Sequence, residues 1–221
     1  MGELSASTVC QYARPVSCSS SATNVKSGVS VGFAHKEKIF WYVLRVSYGR
    51  IAKAKELLET AGLETYAPLR YKQVTLQGKK KLVTDFLLPA FIFVHASLIQ
   101  IETLLHDVKS TEAHSLVSIY YDHTTYRSDA PDRNPPLTIA DEVMANFIKL
   151  TSIHNPHIIP VTSANIEFKL GDQVVVTEGE FAGVYGRVSR LAGQQRVVVA
   201  LFSGCLVASA YVPRGAMKFI V

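Results

Sequence analysis

Residues 87–94 read Leu-Leu-Pro-Ala-Phe-Ile-Phe-Val, and this almost wholly apolar octet constrains the fold more than any other part of the sequence. A strand with one face in water alternates apolar and polar residues, whereas a strand covered on both faces can be apolar throughout. We therefore predict a central strand over residues 87–94. Pro89 lies near its start, where a backbone N–H is not needed for a hydrogen bond to the neighbouring strand. The two-residue period of a strand places Phe91 and Phe93 on one face.

A second β-branched and aromatic run, Ile39 to Val46, predicts the first strand of the same sheet. Over residues 50–61, apolar side chains recur at spacings of three, four and seven, which predicts an amphipathic helix that Gly62 ends. Ser97 begins a short helix over residues 97–106, and another helix follows Thr138. Further strands are predicted at 63–69, 71–76, 82–86 and 116–121. The fold class is therefore α/β, of the α+β type, with a largely antiparallel sheet and flanking helices.

The predicted strands 71–76 and 82–86 are joined by the basic turn Gln-Gly-Lys-Lys-Lys, so they read as a hairpin with a cationic tip. The lysines at this tip are Lys79, Lys80 and Lys81. They have two interpretations: contact with DNA, or protection of a sheet edge against aggregation.

The carboxy-terminal part has a different residue pattern from the part before it. Residues 168–188 alternate short β-rich runs with glycines at turn positions, and strands are predicted at 195–202, 206–212 and 217–220. Five short strands in such a segment predict a small barrel. We divide the chain into a disordered leader (1–38), a first domain (39–151), an interdomain linker (152–165) and a barrel domain (166–221).

Composition and motifs exclude several functional classes. The net charge of +5 permits nucleic-acid contact without demanding it. The three cysteines, Cys10, Cys18 and Cys205, are odd in number and lack the spacing of a zinc site, so we expect free thiols, no metal and a cytoplasmic location. No apolar stretch approaches the roughly 20 residues of a membrane span. Neither a phosphate loop nor a nucleophile with its base is recognisable, so we expect no enzyme activity and no cofactor.

The glycine pattern of the carboxy-terminal part resembles the KOW motif, the glycine-rich hairpin of SH3-like barrels in transcription and ribosomal proteins. The residues that carry this resemblance are Gly171, Asp172, Gly179, Phe181, Gly183 and Gly186. The resemblance implies that residues 166–221 form an SH3-like KOW β-barrel.

The amino-terminal part resembles the NusG family. Trp41-Tyr42-Val43-Leu44, with a helix behind it, and the Leu88 to Val94 segment look like the two signature strands of the NusG amino-terminal domain, at the right distance from the KOW-like element. Within that family, the 136–139 entry to the last helix and Ala90, where general NusG proteins usually carry glycine, resemble the specialised paralogues of the UpxY group that act on capsular polysaccharide operons.

The resemblance implies a monomeric factor that docks on the clamp helices of RNA polymerase and suppresses pausing or termination. It implies a polymerase-docking neighbourhood of Trp41, Tyr42, Phe86, Leu88, Pro89, Phe91 and Phe93. Core packing is the alternative interpretation for Trp41, Phe91 and Phe93, because most strand aromatics lie in a core. A general NusG-type factor and a ribosome-associated or RNA-binding KOW protein stay open as alternative functions.

The resemblance also implies a nucleic-acid contact at the start of the first helix, formed by Tyr48, Arg50 and Lys53. These side chains suit phosphate contact and base stacking with a non-template DNA strand or nascent RNA. A solvated helix face is the alternative. For the barrel, the implied partners are Rho, a ribosomal protein or an antagonist protein.

Overall fold

The computed structural model describes residues 38–220 except 77, 107–114, 125–133, 162–172 and 192. Its strands are, in chain order, β1 (Phe40–Val46), β2 (Glu64–Tyr66), β3 (Leu69–Leu76), β4 (Lys79–Phe86), β5 (Phe91–Ala96), β6 (Val117–Ile119), β7 (Thr138–Ile139), β8 (Ile159–Val161), β9 (Gln173–Val176), β10 (Tyr185–Leu191), β11 (Gln194–Phe202), β12 (Cys205–Tyr211) and β13 (Met217–Phe219). Its α-helices are α1 (Ile51–Thr60), α2 (Leu98–His106) and α3 (Asp141–Thr151).

The first sheet is antiparallel and has the order β2-β5-β1-β6, with β7 also paired to β1. Val43 lies opposite Phe93 in the β1–β5 pair. Since residues opposite each other share a face, the sheet has two apolar sides. The aromatic face carries Trp41, Val43, Phe91 and Phe93, and the helical face carries Tyr42, Leu44, Ile92 and Val94.

Helices α1 and α2 cover the helical face with the buried side chains of Ala54, Leu58 and Ile101. Gly62, whose φ of +79° suits glycine, follows the end of α1, as predicted. Ser97 caps α2, as predicted: the Gln100 backbone N–H donates to Ser97 Oγ at 3.3 Å, and the Ser97 N–H donates to Gln100 Oε1 at 2.9 Å. This reciprocal pair is a capping box.

Helix α3 packs on the aromatic face. The Phe147 ring meets the edges of Phe93 and Tyr66, with ring centroids 5.6 and 6.2 Å apart. The Thr151 hydroxyl donates to the Phe147 carbonyl at 2.8 Å, so the Tyr66 hydroxyl donates to Thr151 Oγ1 at 2.6 Å. Burial is the main reason that the pKa of Tyr66 is raised, which keeps this donor protonated. The contacts tie α3 to β2.

The second sheet is antiparallel and six-stranded, with the order β13-β9-β10-β11-β12-β8. Its inner side chains and the aromatic face of the first sheet belong to one continuous core, which includes Trp41, Val43, Phe93, Val174, Val197 and Val207. Residues 37–221 accordingly form one compact unit. The antiparallel sheets with few helices confirm the predicted α+β class.

The structure corrects two predicted elements. The strand predicted over residues 87–94 begins only at Phe91, because the Phe91 N–H donates to the Leu88 carbonyl at 3.2 Å and closes a turn around Pro89. The helix predicted after Thr138 begins at Asp141, because Thr138 and Ile139 pair with β1 as β7. In both places a tertiary or turn hydrogen bond overrides the local apolar pattern.

The carboxy-terminal part contains one strand more than predicted. This strand, β8, lies within residues 152–165, the segment predicted as a linker, and pairs with β12 from Leu206↔Val161 to Ala208↔Ile159. The segment lacks periodicity in sequence because a three-residue strand is too short to show one. The predicted leader lies outside the described residues except for Lys38, as do Gly171 and Asp172 of the KOW-like pattern.

Glycine is required at position 186 by packing. A Cβ atom there would lie 2.5 Å from the Val198 carbonyl oxygen and 2.9 Å from Val197 Cγ1. We expect Gly186→Ala to lower the free energy of unfolding by about 1–3 kcal/mol, since backbone atoms of β11 would have to move. Gly215→Ala is the matched control, because nothing lies within 4 Å of its added Cβ. Urea denaturation of both variants measures the difference; equal stabilities would contradict the described β10–β11 packing.

Candidate functional site

The seven residues predicted to dock polymerase do not form one surface. Trp41, Phe91 and Phe93 share the aromatic face, and Leu88 belongs to the same core. Tyr42 belongs to the core of the opposite, helical face. Phe86 also packs on the core of the helical face, and Pro89 is exposed in the turn before β5.

Within the aromatic face only the rim is accessible. Phe93 is 0% exposed and Trp41 8% exposed, so both are core residues in this arrangement. Phe91 is half-buried. Trp41 and Phe93 are therefore buried, and Phe91 has the most accessible ring of the three.

Phe91 belongs to an aromatic cluster that joins the two sheets. Its ring meets Tyr120 and Phe202 edge to face, at centroid separations of 5.3 and 5.6 Å. Tyr120 and Phe202 are themselves 5.7 Å apart. We name these three residues the rim cluster. Phe202 ends β11 of the second sheet, so a residue of that sheet packs against the ring of Phe91.

Sequence analysis did not single out Tyr120 or Phe202. Both are aromatic residues within predicted strands, which gave them no feature beyond a place in a core. Their common site depends on the packing of two sheets whose strands are far apart in sequence.

A buried asparagine connects α3 to the second sheet. The Asn146 amide donates through Nδ2 to the Tyr185 carbonyl at 2.8 Å, and its Oδ1 accepts from the Tyr185 backbone N–H at 3.0 Å. Asn146 is only 5% exposed. The side chain therefore pairs with both backbone groups of Tyr185, as a neighbouring strand would.

The Tyr185 side chain adds a second, more exposed contact to α3. Its hydroxyl donates to the Glu142 carbonyl at 2.8 Å. Burial, with a smaller contribution from the Glu142 charge, raises the pKa of Tyr185, so the hydroxyl stays a donor at neutral pH. Beside these contacts a groove of about 390 Å³ opens between α3 and β10–β11, lined in part by Val143, Asn146 and Arg187. The packing between helix and sheet is thus incomplete.

Trp41 is held by polar neighbours at the edge of the aromatic face. Its ring stacks on His95, with centroids 4.8 Å apart and planes 19° from parallel. His95 Nδ1 lies 3.0 Å from Glu64 Oε2, and its Nε2 lies 3.9 Å from Asp141 Oδ1. The imidazole therefore lies between β2 and the first turn of α3, and it stacks on the indole.

The predicted nucleic-acid-binding residues are grouped at the start of α1. Tyr48 is 95% exposed, and Arg50 and Lys53 are exposed as well. Gly49, with a φ of +72°, forms the turn that separates Tyr48 from Arg50. An aromatic ring and two cations thus project from one short segment, which is the combination that single-stranded nucleic acids bind.

The described residues of the KOW-like pattern shape the β9–β10 connection. Gly179 and Gly183 have φ values of +84° and +78°, which side chains rarely tolerate. Phe181 is buried in the shared core. These residues serve the turn and its packing.

Among the residues that the structure describes, no group of three or more His, Cys, Asp and Glu side chains is placed to hold a metal ion. No helix there is long and apolar enough to cross a membrane. Burial raises the pKa of the Cys205 thiol to about 12, so this cysteine is not a nucleophile at neutral pH.

Comparison with known proteins finds a family match for the first part of the chain. Residues 40–147 match the model of the NusG family, described as "Transcription termination factor nusG". This family consists of transcription factors that interact with RNA polymerase and are not enzymes.

Among solved structures, one similar chain belongs to the structure described as "Domain interaction in Thermotoga maritima NusG". It has 15% sequence identity and a TM-score of 0.39, and the match covers 83% of this chain and 98% of that one. Comparison with curated protein sequences gives no match.

The Asn146–Tyr185 pair gives a direct test of the contact between α3 and the second sheet. We expect Asn146→Ala to lower the free energy of unfolding by about 1–3 kcal/mol, because two backbone groups of Tyr185 lose their partners. Tyr185→Phe removes only the exposed hydroxyl bond and should cost about 1 kcal/mol or less. Thermal or urea denaturation measures both; a larger loss for Tyr185→Phe would contradict the assigned roles.

Proposed function

We propose that this protein is a transcription elongation or antitermination factor that binds RNA polymerase and suppresses pausing or termination. The observation that carries the proposal is the NusG-family match of residues 40–147, which spans the first sheet, α1, α2 and most of α3. It acts by binding, without catalysing a reaction.

The proposed docking surface is the rim of the aromatic face, centred on Phe91 and Tyr120. Half-buried aromatic rings are suitable anchors because they supply a large apolar contact area with little entropy to lose. The partner is the apolar tip of the polymerase clamp helices. A factor that bridges two parts of a mobile clamp lowers the population of the open clamp by binding the closed state more tightly. That preference opposes pausing and termination.

The second sheet competes for this surface in the proposed mechanism. Phe202 contacts both Phe91 and Tyr120, so a polymerase helix would have to replace it. The second sheet is held by the rim cluster, the Asn146–Tyr185 pair and the shared core, and the apparent affinity for polymerase falls with the fraction of molecules in which it covers Phe91.

Tyr48, Arg50 and Lys53 form the proposed contact with the non-template DNA strand of the transcription bubble. Stacking of a base on Tyr48 and phosphate contact by the two cations explain why these side chains are exposed together.

The finer assignment is action at specific operons of the capsular polysaccharide type. It is supported by the resemblance of Ala90 and the 136–139 segment to the UpxY group. In the same proposal the second sheet is a KOW domain, whose partner is Rho, a ribosomal protein or an antagonist protein.

Two substitutions in the rim cluster should change polymerase affinity in opposite directions. Phe91→Glu places a charge at the proposed anchor and should weaken binding at least about 30-fold, the loss of an interface hot spot. Phe202→Ala removes the competing ring and should strengthen binding. Titration of labelled full-length variants with core RNA polymerase measures both effects.

Ile99→Glu is the control for Phe91→Glu, because Ile99 is 58% exposed on α2, the helix that covers the opposite face of the sheet. It should leave the affinity unchanged. Circular dichroism and thermal unfolding establish that each variant is folded. A folded Phe91→Glu protein with unchanged affinity would show that the docking surface lies elsewhere, and co-purification with ribosomes instead of polymerase would favour the RNA-binding alternative.

Tyr48→Ala should weaken binding to a transcription complex with an exposed non-template strand by about 1–3 kcal/mol, through loss of base stacking. Binding to polymerase without nucleic acid should not change, because Tyr48 is outside the rim cluster. Competition experiments with the two forms of polymerase separate these effects. An equal loss in both would mean that Tyr48 contacts the enzyme and not the DNA.

A further inference from the structure

Arg196 is a buried cation on β11 of the second sheet, where it is only 9% exposed. Its guanidinium donates three hydrogen bonds. Nη1 donates to the His157 carbonyl at 2.8 Å and to the Ser209 carbonyl at 3.2 Å, and Nη2 donates to Gln194 Oε1 at 3.1 Å. All three acceptors are uncharged, so these bonds orient the guanidinium without balancing its charge.

The surroundings of Arg196 supply no negative charge. Among the residues that the structure describes, no carboxylate forms an ion pair with this guanidinium. Arginine does not lose its proton in proteins, so the charge cannot be removed in that way. A buried charge without an opposite charge is costly, and buried arginines are therefore almost always paired. The missing group is an anion.

Two buried donors at this place have no hydrogen-bond partner in the described part of the chain. They are the Arg196 Nε–H and the hydroxyl of Ser189, a residue that is 3% exposed. The β10–β11 register sets Ser189 opposite Arg196. Residues opposite each other in an antiparallel pair share a face, with Cβ atoms about 4.5–5.5 Å apart. One acceptor between the two side chains would satisfy both donors.

The rest of this face of the sheet limits the size of such an acceptor. Leu191 follows Ser189 by two residues and Val198 follows Arg196 by two, so both share the face, and both belong to a small buried apolar cluster. The two unpaired donor atoms have almost no accessible surface. An anion held here must therefore be small and carry a single charge, because the apolar neighbours offer no further donors.

We propose that Arg196 and Ser189 form a buried binding site for a halide ion, with chloride as its natural occupant. The ion accepts hydrogen bonds from Arg196 Nε and Ser189 Oγ and neutralises the guanidinium. A water molecule would accept the same two bonds but would leave the charge uncompensated. The site is outside residues 40–147, and it does not depend on polymerase binding.

The proposed ion stabilises the second sheet and the segment that precedes β8. Arg196 joins β11 to β12 through the Ser209 carbonyl and to that segment through the His157 carbonyl, while Ser189 adds β10. A ligand that binds only the folded state raises stability as its concentration rises. Above the dissociation constant, a tenfold increase in chloride should therefore raise the folding equilibrium constant about tenfold.

Urea unfolding of the full chain, followed by circular dichroism at constant ionic strength, tests the proposal. Sodium chloride is replaced stepwise by sodium gluconate, whose anion is too large for the site. We expect chloride to stabilise the parent protein and bromide to act in the same way. Broadening of the chloride NMR signal by the folded protein measures binding independently of stability.

Two substitutions remove parts of the site. Arg196→Met removes the buried charge and should make stability independent of chloride; replacement of a buried ion by an apolar residue is often tolerated. Ser189→Ala removes one donor and should weaken chloride binding about tenfold or more, the loss of one hydrogen bond to a charged group. Arg190→Met is the matched control, because Arg190 is exposed and pairs with Gln195, so it lies on the opposite face. It should keep the chloride dependence of the parent.

Equal stability of the parent in chloride and gluconate would overturn the proposal, since water would then be the acceptor at this site. Chloride dependence that persists undiminished in Arg196→Met or Ser189→Ala would overturn it as well, because the ion would bind elsewhere. If Arg196→Met does not fold, the conservative Ser189→Ala decides the question. Phe91→Glu should keep the chloride dependence, so failure here is distinguishable from failure of the polymerase site.

Discussion

The pairing of β1 with β5 is the interaction on which the rest of the structure depends. Its register sets Val43 opposite Phe93, and so divides the apolar residues of both strands into an aromatic face and a helical face. A slip of β5 by one residue against β1 would turn Phe91 and Phe93 toward α1 and α2. Both faces are apolar, so both must be covered. The amphipathic helices α1 and α2 cover one, and α3 with the second sheet covers the other.

This double coverage connects folding with the function proposed above. In that proposal, the aromatic residues at the rim of the shared core also provide the contact area for a polymerase helix. Phe93 and Trp41 are buried in the core, whereas Phe91 contacts Phe202 at the rim. The Asn146–Tyr185 pair is polar and directional, in contrast to the apolar core around it. Such a pair fixes where the second sheet sits on α3.

Sequence analysis succeeded where a local pattern and its local cause coincide. The amphipathic period of residues 50–61, Gly62 after α1 and the Ser97 cap of α2 depend on neighbours within one turn, and the structure confirms them. It was wrong at two element boundaries, where a hydrogen bond overrode the local pattern. The turn from Leu88 to Phe91 delays the start of β5, and Thr138 and Ile139 pair with β1 instead of beginning α3. The short strand β8, which pairs with β12, was not predicted. Tyr120 and Phe202 were missed for the same reason, because nothing local distinguishes a rim aromatic from a core aromatic.

The sequence by itself determined the α+β class, the apolar pair of central strands, the exposed aromatic and basic residues at the start of α1 and the basic hairpin tip. Each follows from side-chain type and from periods of two or 3.6 residues, which act within a single element. The tertiary structure alone decided which face each aromatic residue occupies, which ring covers Phe91, and that Ser189 lies opposite Arg196. These are matters of register and of packing between distant segments, and a shift of one residue in pairing reverses them without any change in sequence.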